Sequence, residues 1–263
     1  MSDELLEYRS VIYRNSEVFL YNFKEEFAAF GVTVEHINIF LKVISTQHMT
    51  NGKSLVGFIP HLSLIHRQYL NSFQSFSTFQ SYQGWVLIRP AIESILIMGK
   101  WLDDRDNFEV WKKHEEDWKS YNSVYSGKSL ASKSLSDSDR IQSVLKKLND
   151  KFMHANPSYY HRHSAIQKVD GENYYMWTSF FDDQKEHEIH LYAFLHLTIF
   201  MLYRLGMMFQ PLFARTDAFQ VDISKLEKVF EKRVRGLANE AKGNYSVLSE
   251  LGLWPNNILE PIR

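Results

Sequence analysis

Apolar residues in this chain recur three, four or seven positions apart almost from end to end. A chain patterned in that way buries helices against helices. From Leu5 to Phe30 the positions Leu5, Tyr8, Val11, Ile12, Phe19, Phe23, Phe27 and Phe30 form one stripe. Gly31 follows at the place where a residue tolerant of the left-handed conformation ends a helix. A second helix is expected from Thr33, as its cap, through Ile37, Phe40, Leu41 and Ile44, with Asn51-Gly52 closing the region. A third spans Ile59 to Phe76, with Leu62, Ile65, Tyr69 and Phe73 on one side.

The segment Trp85 to Leu102 is apolar almost all round, interrupted mainly by Arg89, Glu93, Ser94 and Lys100. Such a helix belongs at the centre of its domain, and Pro90 either opens it or kinks it. Between Asp104 and Tyr125, the residues Phe108, Trp111, Trp118 and Tyr125 are expected as inward anchors. Ser126 to Ser138 is rich in Ser, Lys and Asp and reads as a mobile loop, open to regulation or proteolysis. Asp137 or Ser138 can cap the next helix, whose stripe is Ile141, Val144, Leu145, Leu148 and Phe152. Pro157 should stop that helix near Met153.

Asp170-Gly171 between short β-prone runs predicts a hairpin, and two helices, Gln184 to Phe209 and Ile223 to Leu251, complete the pattern. The fold expected is all-α, a multi-helix bundle with one small β-hairpin near residues 165–178. A single domain over 1–263 is expected, with residues 80–253 as its core. Whether residues 1–79 form a sub-lobe is open at this stage.

Composition narrows function by exclusion. Thirty basic against thirty-one acidic residues leave a net charge of −1, so no global field points to nucleic acid or to an anionic membrane. The absence of cysteine excludes disulfides, thiolate metal sites and a cysteine nucleophile. The longest apolar stretch, Leu191 to Phe213, holds His196, Arg204 and Gln210. Arg204 would be expensive in lipid, so a buried core helix is expected rather than a membrane span. The acidic start Met1-Ser2-Asp3-Glu4 is unlike a secretory signal, and a cytoplasmic protein is expected.

Four constellations could carry chemistry. Arg89 and Glu93 share a helix face at i, i+4 spacing, in a helix too apolar to leave either charge alone. They are either a phosphate-binding guanidinium held by a carboxylate or an ion pair that fixes helix register. His154, before Asn156-Pro157, falls at a helix C-terminus, where it can move a proton, bind an anion or simply cap carbonyls; Asn156 can also cap. Six histidines crowd between His154 and His196, and Glu186 and His187 each lie one turn from His190. With no His-Glu-x-x-His motif, no metal is expected. Lys225, Lys228, Lys232, Arg235 and Lys242 form a basic stripe that fits either a phosphate backbone or a solvated face. A nucleophile elbow, a phosphate loop, a dinucleotide fingerprint and an EF-hand are all missing, and no cofactor is expected.

The run Leu87-Ile88-Arg89-Pro90-Ala91-Ile92-Glu93, with Lys151-Phe152-Met153-His154-Ala155-Asn156-Pro157 later in the chain, resembles a widespread uncharacterised bacterial all-helical family. The resemblance covers about residues 80–215. It implies an all-helical fold in which Arg89, Glu93 and His154 share a polar centre. More loosely, the chain is similar to HEPN-type helical proteins, many of them dimeric, metal-independent ribonucleases of toxin and phage-defence systems. Their signature places an Arg shortly before a His on one helix. Here Asn149, Asp150 and Lys151 stand in that place, so Arg89 would have to substitute from another helix. That likeness implies RNA as a partner, possible dimerisation, and Arg89, Glu93 and His154 as catalytic residues; with RNA as the partner, Asn156 and the stripe residues Lys228, Lys232 and Arg235 are the expected binding residues. The alternative expectation is a non-catalytic interaction or scaffold protein in which the same cluster is structural.

Overall fold

The computed structural model describes residues 3–46, 49–50, 53–153, 164–170, 173–178, 181–210 and 224–240. Side chains are described throughout these ranges except at 46, 49–50, 53–54, 153, 164–170, 173–178 and 233–240. The architecture is all-α. Helices α1 (Asp3–Asn22), α2 (Lys24–Thr46), α3 (Ile59–Ser77), α4 (Ser81–Asp103), α5 (Asp106–Lys112), α6 (Trp118–Tyr125) and α7 (Ser138–Leu148) precede α8 (Gln184–Phe209) and α9 (Ser224–Glu240). Two small antiparallel ladders interrupt them: β1 (Met49–Thr50) with β2 (Lys53–Ser54), and β3 (Ser164–Asp170) with β4 (Asn173–Thr178). The second is the expected hairpin, paired from Ser164↔Thr178 to Asp170↔Asn173 with an irregularity between Lys168 and Asp170.

Helices α3 and α4 form the central hairpin, and α4 is approached closely where it lacks a side chain, by α3 at Gly84 and by the segment before α7 at Gly99. A Cβ at Gly84 would lie 2.5 Å from the Phe76 ring, and one at Gly99 would lie 2.7 Å from Ser132 Oγ. Between the two helices Phe79 takes a left-handed backbone, φ 63°, and its ring stacks on His187 at 4.0 Å. Its carbonyl accepts the Asp182 N–H at 2.8 Å, which ties this turn to the start of α8. Asp183 caps α8 by accepting the Glu186 N–H at 2.9 Å.

Helix α8 is apolar on every side and runs through the interior. It and α2 are long and apolar enough to cross a membrane by length and composition, yet 83% of the most apolar window of α8 is buried inside the protein. Arg204 near its end is answered within the chain by the Asp137 carboxylate. Buried apolar residues from Phe19 on α1 to Phe230 on α9 form one contiguous cluster.

The structure departs from the sequence reading at several points. Gly31 and Thr33 are not boundaries, because α2 runs through both and the helix break lies at Phe23. Burial of Ala29, Phe30, Val32 and Thr33 outweighs the roughly 1 kcal/mol that a glycine costs a helix. Trp118 is no anchor; it is 61% exposed. Asp137 has a left-handed backbone and makes no side-chain cap, and the Ser138 hydroxyl accepts the Ser132 N–H instead. The serine-rich segment 126–138 is held down: Asp103 accepts from Ser132 Oγ at 3.0 Å, Lys133 N at 3.0 Å and Ser134 N at 2.6 Å, while Leu130 and Leu135 are buried. The expected helical run through Phe152 to Met153 is present, but its last turn, Asn149–Met153, is π-helix rather than α.

Candidate functional site

Pro90 lies inside α4, where it lacks the N–H that would bond the carbonyl one turn back. The residues flanking this gap are Arg89 and, one turn on, Glu93. The Arg89 Nη1 donates to Glu93 Oε2 at 2.9 Å, and its Nε donates to Asn149 Oδ1 at 2.5 Å. Asn149 opens the π-turn that ends α7. One guanidinium therefore joins α4, beside its internal proline, to the π-turn that ends α7, and π-turns of this kind recur at functional sites.

The pair is only partly buried, with 27% of the Arg89 side chain and 31% of the Glu93 side chain exposed. Two of the guanidinium nitrogens are occupied, and Nη2 makes no hydrogen bond among the described residues. The result is a cation oriented by a carboxylate and an amide, with one edge left to meet an anion. Tyr121 on α6 stands close enough to feel this centre. Burial first, and the Glu93 charge second, raise its hydroxyl above the usual tyrosine value. Phe152 in the π-turn is buried against Trp85 and Tyr82, at 6.0 and 5.9 Å between ring centroids.

His154 and Asn156 lie outside the described residues, so the expected imidazole cannot be placed beside the pair. Asn149 and Tyr121 are the members that sequence reasoning did not assign. Asn149 stood within the segment singled out around His154, whereas nothing in the local sequence of Tyr121 connects it to Glu93.

The basic stripe is partly placed. Lys225, Lys228 and Lys232 are exposed on α9 while Leu226 and Phe230 are buried, the division an amphipathic helix requires. Lys232 Nζ pairs with Glu25 Oε2 on α2 at 2.7 Å, so it serves the α2–α9 contact. The side chain of Arg235 is outside the described set.

A second polar cluster lies deeper. The Trp85 indole donates to His190 Nδ1 at 3.0 Å. An indole can only donate, so Nδ1 accepts here, and the other ring nitrogen, Nε2, lies 3.8 Å from Glu186 Oε1. Asp182 accepts the Ser81 N–H at 2.9 Å, and burial pushes its carboxyl pKa up against the opposing pull of His190. With Ser81 1% and His190 4% exposed, this cluster fastens α4 to α8 and has no room for substrate. Among the described residues no group of three or more His, Asp or Glu is placed to hold a metal.

Comparison of the chain with protein-family models, with curated proteins and with solved structures finds no match, so the geometry above stands without a relative to interpret it.

Proposed function

We propose that the protein is a helical effector that binds a phosphodiester of RNA at Arg89 and cleaves it without metal, in the manner of HEPN-like ribonucleases. The observation that supports this reading is the partly exposed Arg89 guanidinium, held at Nε and Nη1 by Asn149 and Glu93 and open at Nη2. A guanidinium so fixed stabilises charge developing on the phosphoryl oxygens without reorganising. His154 takes the proton from the ribose 2′-hydroxyl as that oxygen bonds to phosphorus, and returns it to the 5′-oxygen as the P–O5′ bond breaks. Glu93 and Asn149 position Arg89. Lys228 and Arg235 extend the phosphate contacts.

The test is cleavage of a labelled single-stranded RNA by the wild-type protein and by Arg89→Ala, Arg89→Lys and His154→Ala. Loss of cleavage in both alanine variants, with RNA binding weakened only at Arg89, supports the reading. Unchanged cleavage in both overturns it. A second reading, a non-catalytic interaction protein, draws on the Arg89–Asn149 bond, since a residue bridging two helices also serves stability. It expects Arg89→Ala to lower the melting temperature with no RNA phenotype.

A further inference from the structure

A cavity of about 500 Å³ opens where the 3₁₀ turn before α3 (Val56–Phe58) faces the end of α4 and the start of α5. By chain distance along α4 it lies three turns beyond Arg89, roughly 18 Å away at 1.5 Å per residue. Its walls are Leu55, Phe58, Trp101, Leu102 and Phe108, and its lip carries Arg105, Asp106 and Glu109. The volume falls in the range of small-molecule sites, and so does the chemistry, an aromatic interior with few polar groups at one end.

The aromatic wall is built and fixed. Trp101 meets Phe108 edge-on at 4.8 Å between centroids and Phe58 at 5.5 Å. The Trp101 indole N–H is already spent on the Tyr125 hydroxyl at 3.0 Å, so the ring offers the cavity apolar surface only. Gly57 keeps the opening clear, since a Cβ there would stand 3.3 Å from the Phe108 ring.

The three lip charges are not equivalent. Both Glu109 oxygens accept from Lys112 Nζ, at 3.1 and 3.0 Å. Asp106 sits in the first turn of α5, where the helix dipole favours a carboxylate. Arg105 is exposed, and its guanidinium has no hydrogen-bond or ion-pair partner among the described residues. Of the three lip charges, Arg105 is therefore the one cation at the mouth of the aromatic cavity, and its unpaired planar fork matches a carboxylate.

We propose that this cavity is a binding site for a small aromatic carboxylic acid, its ring against Trp101, Phe58 and Phe108 and its carboxylate on Arg105. The site is separate from Arg89, and the inference does not depend on the RNA reading. The experiment is isothermal titration of the full-length protein with 3-phenylpropionate and, in parallel, with the uncharged 3-phenylpropionamide. The acid binds more tightly than the amide. Arg105→Ala weakens the acid about tenfold, the scale of a lost charge-assisted hydrogen bond, and leaves the amide unchanged. Val56→Trp, at a half-exposed wall residue where folding is not at stake, abolishes binding of both. No saturable binding of the acid to the wild-type protein overturns the proposal. Equal affinity for acid and amide overturns it as well, and so does an Arg105→Ala variant that keeps full affinity for the acid.

Discussion

Four of the buried histidines, His36, His61, His187 and His196, are held neutral by their surroundings, and they should make this protein acid-labile well above the pH at which its carboxylates titrate. Burial lowers the pKa of His36 and His61 from 6.5 to about 4. Burial, helped by His190 in one case and by Arg140 in the other, lowers His187 and His196 to about 3. None is more than 6% exposed. A group with a depressed folded-state pKa binds its proton more readily when unfolded, so its stabilising contribution is complete above pH 6.5 and is lost as the pH falls toward 3–4. At pH 7.5 the penalty is negligible. At pH 5.5 each ring costs about 1.4 kcal/mol, and the four together cost about 5–6 kcal/mol, comparable to the whole stability of a typical domain. Asp182, whose carboxyl is raised by burial, works in the opposite sense, but it is one group against four.

Urea unfolding followed by circular dichroism between pH 8 and pH 5 measures this directly. The midpoint should fall steeply below pH 6.5, and the unfolding free energy should be about 5–6 kcal/mol lower at pH 5.5 than at pH 7.5. His61→Phe keeps a ring in the cluster of Trp101 and Trp111 at 4.8 and 5.2 Å and should remove about one proton from the slope. A midpoint equal at pH 7.5 and pH 5.5, or a His61→Phe variant with an unaltered slope, would refute the reasoning.

Other outcomes follow from single contacts. A double-mutant cycle on Arg89 and Glu93 should give a coupling of only about 1 kcal/mol, because water reaches both side chains; a value above about 3 kcal/mol would mean the pair is sealed. Asp103→Ala removes three hydrogen bonds to residues 132–134 and should cost about 2–3 kcal/mol while exposing that segment to limited proteolysis. Gly99→Ala drives a methyl into Ser132 and should cost about 1–3 kcal/mol in a thermal melt, with Ser132→Gly on the same chain recovering part of it. Trp85→Phe leaves His190 Nδ1 without its donor and should cost about 1–3 kcal/mol by urea unfolding.

The elements legible in the sequence were those with a strong period or none of the competing signals. The α3 stripe through Leu62, Ile65, Tyr69 and Phe73 and the all-round apolar α8 came out nearly to the residue, and Asp170-Gly171 marked the β3–β4 hairpin. Local punctuation misled where burial decided. Gly31 breaks nothing because its neighbours are packed, and the serine-rich stretch before α7 is ordered by a carboxylate from α4, some thirty positions upstream, as the Asp103 bonds show. The i, i+4 spacing disclosed the Arg89–Glu93 pair because one helix carries both. Asn149 and Tyr121 reach the same place from separate segments, and no periodicity encodes that meeting. The cavity at Trp101 was equally hidden, since its walls come from three stretches of chain.

Helix α1 places a single residue, Phe19, in the interior. Further ties come from Asn15, which donates to the Thr78 carbonyl at 3.1 Å, and from Tyr8, which accepts from Gln80 at 2.6 Å and leans on Phe181. Leu6, Tyr13 and Leu20 recur every seventh residue along a side that faces water. Folding is therefore blind to what those positions hold. A mutational scan scored for abundance should find them freely replaceable, and any intolerance that surfaces only when the scan is scored for biological output would trace to a second molecule gripping this arm.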